Sequence, residues 1–248
     1  MTIFESTRGT DRFAIVPGAA EVGWLPNIAT DRMVERRSAI AELGAPLRRL
    51  RSTAAATEQS PEDVLSAARQ LSAIVDRMET GPQRQREEPP SVDDLAMGVR
   101  MYNPVWGTDS PLAPPVEFEV LEDCVVGRCN LDLSYEGPPS FAHGGVSAML
   151  LDQVLAMAVA VAGHPAVTRR LEIGYRRPVP LQVSLEIRSA EVRVTDGEIV
   201  AVGEIASQEQ VLVRGEGRFA VFRPDQVRRF LAGPRGFASI TGPSSPGC

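Results

Sequence analysis

One stretch leaves this chain few ways to fold. Residues 146–162 are apolar on every side of a helical wheel, with Ser147, Asp152 and Gln153 as the main polar interruptions. Such a pattern predicts a helix buried all round, not an amphipathic surface helix. At 17 residues the run is short for a membrane span, and an aspartate near the middle of a span costs roughly 2.5–3.5 kcal/mol. A core helix with the rest of the domain wrapped around it is the expected solution. It carries a problem with it. A buried carboxylate must find donors, take up a proton or face a wet cleft.

The approach to this helix reads Pro138-Pro139-Ser140-Phe141-Ala142-His143-Gly144-Gly145, and His143 is one of two histidines in the chain. Glycines here let a ligand come close to the backbone, and the first helical N–H groups have no partner within the helix, so the Gly145 N–H is a candidate donor to an oxyanion. The plainer alternative is that the glycines serve only a tight turn. His143 is a candidate for orienting a carbonyl or a water, or else a cap or packed ring. Asp152 is a candidate general base or nucleophile, or else a carboxylate satisfied by nearby hydroxyl and backbone groups. His143 and Asp152 are nine positions apart, which would set them on opposite faces of one helix. They can act together only if a second chain brings the two sets into register.

Around this helix the chain divides into three parts. Residues 1–91 comprise an irregular arm, a helical hairpin and a linker. Met33, Ile40, Leu43, Leu47 and Leu50 recur at helical spacing, and Ser60-Pro61-Glu62-Asp63 is a strong helix start, with a capping serine and acids at the positive end. The second helix is expected to bury Val64, Ala67, Leu71, Ile74 and Met78, and the hairpin to pack on the main body or a partner. Arg32, Arg36, Arg37, Arg48, Arg49 and Arg51 give it a basic side, read as a solvated face, with an anionic surface or partner as the alternative.

Residues 92–231 read as one α+β domain. A proline-rich approach loop spans 99–115, strand patterns flank the central helix, and a phase change after Val183, Leu185 and Ile187 predicts a bulge near 188–190. Asp196-Gly197 marks a hairpin. Gly215 and Gly217 mark places in the last strand where bulky groups are excluded. A short helix is expected from Pro224 to Leu231, and the Gly/Pro/Ser-rich residues 232–248 read as a disordered tail.

Net charge of −6 and a pI near 5.1 argue against binding nucleic acid through bulk charge. Cys124 and Cys129 would point to opposite faces of a strand, Cys248 ends the chain, and neither a metal site nor a disulfide framework emerges. No basic start followed by an apolar core marks a secretory signal, and Glu5, Asp11 and Glu21 count against a transit peptide, so a cytoplasmic location is expected.

The series Glu136-Gly137-Pro138-Pro139, His143-Gly144-Gly145, Asp152 and Thr168 resembles the hotdog-fold acyl-CoA thioesterases of the 4-hydroxybenzoyl-CoA and phenylacetate-pathway type, over roughly residues 115–223. The resemblance implies an antiparallel sheet wrapped around the long helix and hydrolysis of an acyl-CoA thioester. It implies a homodimer or dimer of dimers whose active site takes His-Gly-Gly from one subunit and the acid from the other. It makes Asp152, His143, Gly145 and Thr168 the catalytic set, with Thr168 a hydroxyl that positions water or acyl group. Gly144, Tyr175, Arg176 and Arg177 become the substrate-binding set, the arginines as a clamp for coenzyme A phosphates. Coenzyme A would be part of the substrate, and no separate cofactor or metal is expected. Two other readings stay open: an enoyl-thioester hydratase or dehydratase of the same fold, although the Asp-x-Asn-Pro-x-His pattern of hydratases is absent, and a non-catalytic acyl-CoA sensor.

Overall fold

The computed structural model describes residues 30–85, 90–93, 99–121, 124–195 and 198–222. The elements run α1 (Asp31–Ala56), α2 (Pro61–Glu79), β1 (Glu117–Val120), β2 (Val125–Asn130), α3 (Gly144–Val161), β3 (Ala166–Tyr175), β4 (Ser184–Thr195), β5 (Glu198–Ser207) and β6 (Gln210–Val221). The six strands form one sheet in the order β1-β2-β4-β5-β6-β3, and every neighbouring pair is antiparallel. α3 lies across one face of this sheet, which is the hotdog arrangement expected.

The core is the seam between them. Leu150, Leu151, Val154 and Leu155 of α3 are fully buried against Leu185, Ile187, Ile199, Ile205, Val213 and Phe219. Close approach is bought by small residues on the strands. A side chain at Gly217 would strike the Phe219 ring, and one at Gly215 would crowd Leu151. The opposite face of the sheet carries charges, with Arg214 paired to Glu204 at 3.3 Å and Arg218 to Glu198 at 3.2 Å. Exposed pairs of this kind contribute little to stability, but they mark the face that meets water.

α3 departs from its expected form in two ways. It starts at Gly144, two residues earlier than the apolar run, because His143 rather than a glycine closes the first turn. It is also not buried on every side: Met149, Asp152, Gln153 and Ala156 are half-exposed. A single sheet can cover only one side of a helix, and among the described residues the approach loop reaches the other side through Asn103. By length and composition α3 would pass for a membrane span, yet its buried side is the centre of this core.

β4 is one strand with a register shift between Ser189 and Glu191, the bulge predicted from the phase change. Ser189 is buried there, and its hydroxyl accepts from the Val125 N–H at 2.8 Å. Val192 packs on the core while Val194 remains exposed. The hairpin joining β4 to β5 is evident from Thr195 facing Glu198; its two turn residues, like the predicted helix at 224–231, the tail and the arm through residue 29, lie outside the described residues.

The hairpin helices form where the capping signals put them, with Thr30 and Ser60 accepting from Met33 and Asp63 N–H groups. Their packing differs from expectation. α1 buries Arg37 and Gly44, not a leucine stripe. Arg37 Nε donates to the Val92 carbonyl at 2.6 Å, Arg48 donates to the Thr108 carbonyl, and Arg51 donates to the Pro111 carbonyl at 2.7 Å while lying over the Tyr135 ring. Arg48 and Arg51 therefore bind the approach loop to α1, and Arg37 binds the segment at Val92, instead of forming a solvated face; Arg32, Arg36 and Arg49 are exposed. α2 buries none of its residues, so the expected burial of Val64, Ala67, Leu71, Ile74 and Met78 does not occur among the described residues. Periodicity reveals an apolar stripe, not what covers it.

Candidate active site

His143 is held before α3 by a folded loop. Its N–H donates to the Tyr135 carbonyl at 2.8 Å, the neighbouring Ala142 N–H donates to Val179, and Gly137 N–H donates to Phe141. Gly137 is required here, since an added Cβ would lie 2.8 Å from the His143 Cα. The Glu136 carboxylate accepts from the Ser140 N–H at 2.7 Å, which holds Ser140 at a positive φ of 69°. The Glu-Gly-Pro-Pro segment is thus the mount for the histidine.

His143 is the N-cap of α3, and its Nδ1 accepts from the Gly145 N–H at 3.1 Å. The amide singled out as an oxyanion donor is therefore satisfied by the imidazole in this state. Both residues are exposed or nearly so, so the pair faces outward. Gly144 packs under Tyr175, whose hydroxyl donates to the Gly144 carbonyl at 2.8 Å.

Asp152 lies two turns further along. Its Oδ1 accepts from Thr168 Oγ1 at 2.9 Å, and among the described residues Oδ2 has no hydrogen-bond partner. The contact depends on an irregularity that strand alternation alone does not predict. Leu171, Ile173 and Tyr175 face α3; strict alternation would turn Thr168 the other way. The β3–β6 register shifts between Thr168 and Arg170, and the bulge returns Thr168 to the helix side.

The approach loop completes this wall. Asn103 Oδ1 accepts from the Val105 and Trp106 N–H groups at 2.8 and 3.3 Å, and its Nδ2 reaches Gln153 Oε1 at 3.4 Å. The sequence marks Asn103 only as part of the approach loop and Gln153 only as a polar interruption of the apolar run. Arg176 and Arg177 both donate their backbone N–H groups to Leu212 O; their side chains are exposed and have no ion-pair partner among the described residues. Burial pushes the Cys129 thiol up to about 12, too far to serve as a thiolate nucleophile. No group of three His, Cys, Asp or Glu side chains converges among the described residues as a metal site requires.

A helix rises 1.5 Å per residue, so Gly145 and Asp152 of one chain are separated by about 10 Å along the axis. Groups that act on one reacting bond must come within about 3–3.5 Å of it. Within one chain the Gly145 amide and the Asp152 carboxylate therefore stand apart as two separate sets.

Comparison with known proteins gives the family. Residues 140–213 match the model of the thioesterase superfamily. The crystal structure of a thioesterase superfamily protein is 33% identical to the chain, covering 73% of this chain and 90% of that one, with a TM-score of 0.65. The chain belongs to the thioesterase superfamily. Less similar structures include a hypothetical thioesterase from Streptococcus pneumoniae TIGR4 with coenzyme A, at 25% identity over 43% of this chain and 87% of that one, TM-score 0.40. Another is zebrafish thioesterase superfamily member 2, at 20% identity over 49% and 91%, TM-score 0.43. The superfamily match spans His143, Gly144, Gly145, Asp152, Thr168, Tyr175, Arg176 and Arg177 together.

Proposed function

We propose that this thioesterase-superfamily protein hydrolyses an acyl-CoA thioester at a site shared by two copies of the chain. The observation that carries the reading is the 2.9 Å bond from Thr168 Oγ1 to Asp152 Oδ1. It fixes one oxygen of a half-buried carboxylate and leaves the other free to accept a proton from water. Asp152 then acts as general base, water attacks the thioester carbon, and the oxyanion that develops needs fixed donors in a dry site. The Gly145 N–H fills that role once the imidazole of His143 yields it and turns to the carbonyl or the departing sulfur. Collapse of the tetrahedral intermediate breaks the C–S bond, and the proton taken by Asp152 goes to the thiolate. The products are the free acid and coenzyme A.

The half-sites are reconciled by a second copy. β3 is a sheet edge and the side of α3 bearing Asp152 is half-exposed, so a partner seated there would bring its own His143 and Gly145 to the Asp152 of this chain. Arg176 and Arg177, exposed at the end of β3, are the candidates for the coenzyme A phosphates.

Thiol release from a panel of acyl-CoAs is the test. Asp152→Asn is expected to keep the fold and lose roughly 10²–10⁴-fold in rate. A variant with unimpaired turnover would remove Asp152 from the mechanism. Water added to crotonyl-CoA without free thiol, detected by mass, would replace hydrolysis with hydration.

A further inference from the structure

α2 is a well-formed helix that buries none of its side chains among the described residues. Ser60 Oγ accepts from the Asp63 N–H at 3.2 Å, Pro61 opens the first turn, and Glu62 and Asp63 sit at the positive end. Yet no α2 side chain joins either apolar cluster of the core, and Val64, Ile74 and Met78 are 43%, 42% and 51% exposed. In proteins most of a helix's stability comes from packing of its amphipathic face, and this 19-residue helix has its apolar face uncovered among the described residues. Its apolar stripe has a definite period. Val64, Leu71 and Met78 recur every seven residues, with Ala67 and Ile74 three residues after the first two, which is the alternating seam of a two-helix coil.

We propose that α2 packs antiparallel against α2 of a second copy of this chain. In the antiparallel register, Val64 meets Ile74 of the other copy and Ala67 meets Leu71, so the small side chain makes room for the large one. The positions just before the seam residues are Asp63, Gln70 and Arg77. The same register sets Asp63 beside the other copy's Arg77, Gln70 beside Gln70, and Arg77 beside Asp63. Asp63 Oδ2 accepts from the Ser60 hydroxyl at 2.8 Å, which leaves Oδ1 for the arginine. A parallel pair would instead gather Glu62 and Asp63 of both copies at one end and both Arg77 side chains at the other, like charge against like. Charge and volume thus match the helix to itself in one orientation.

Light scattering on the full chain across a range of concentrations tests this, with circular dichroism confirming that each variant keeps its helices. Leu71→Glu with Ile74→Glu is expected to weaken association at least tenfold. The mass falls to that of whatever pairing persists elsewhere, or to the monomer. Arg77→Asp alone and Asp63→Arg alone are each expected to weaken association, and the double reversal to restore it. A monomeric wild-type chain, or an unchanged mass for Leu71→Glu with Ile74→Glu at every concentration, overturns the proposal. A double reversal no better than the singles overturns the antiparallel register. None of these outcomes depends on thioester chemistry.

Discussion

At the scale of single residues, the site turns on a hydroxyl and a carboxylate whose meeting is not written in either one alone. Asp152 draws attention from sequence because a charge in an apolar helix needs a reason, and that argument requires only the helix. Thr168 is different: its pairing with Asp152 followed from family spacing, since strand alternation points it away, and only the bulge at the following residue brings the two to 2.9 Å. A hydrogen bond to a charged group contributes about 1.5–3 kcal/mol. Thr168→Val, which keeps the shape and removes the hydroxyl, is therefore expected to lower kcat by roughly 10- to 100-fold, and Thr168→Ser to recover most of it. Steady-state thiol release measures both. Equal losses in the valine and serine variants would assign the effect to packing. Arg176 and Arg177 show the reverse limit. Sequence places them at the strand end, but exposed side chains without partners carry no geometry from which a phosphate site can be read.

At the scale of elements, α3 and the bulged β4 were legible because hydrophobic period and phase are direct consequences of burial. α1 is legible as a helix that packs on the main body, but its basic side reads as solvated whereas Arg37, Arg48 and Arg51 make contacts. Its fully buried residues are an arginine and a glycine, types that hydropathy does not count as core, with Ile40 and Ala41 half-buried against Val92, Val99 and Met101. Gly44 is where this can be tested. An added Cβ would lie 2.6 Å from the Asp109 Cα and still closer to the Thr108 carbonyl, and both are backbone. Ala favours a helix over Gly by about 1 kcal/mol, whereas forcing a group into a filled contact costs about 1–3 kcal/mol. Gly44→Ala is accordingly expected to lower the denaturation midpoint despite the better helix former, and urea titration measures it. A raised midpoint would mean that α1 and the approach loop separate without penalty.

At the scale of the whole molecule, the seam between α1 and the approach loop ties stability to pH. Asp109 is buried there and held up to about 6, burial outweighing the opposing effects of the Tyr102 hydroxyl and Arg48. One of its oxygens, Oδ1, is buried without a hydrogen-bond partner among the described residues. Asp93, across the same seam, is also raised by burial, against the Met101 N–H, Arg100 and Arg37. A carboxylate whose folded pKa exceeds its unfolded value binds its proton more tightly in the folded state. Its favourable contribution is complete below the unfolded pKa near 4 and is lost as pH rises through about 6. The seam is therefore tightest in mild acid and carries a buried charge at neutral pH. Asp109→Asn keeps an acceptor for Tyr102 and removes that charge. It is expected to raise stability relative to wild type by about 1–3 kcal/mol at pH 8 and to give no advantage at pH 4. Thermal melts at the two pH values decide it: an equal difference at both would assign the gain to side-chain packing, while a difference confined to pH 8 identifies ionised Asp109 as the strained point where α1 meets the approach loop.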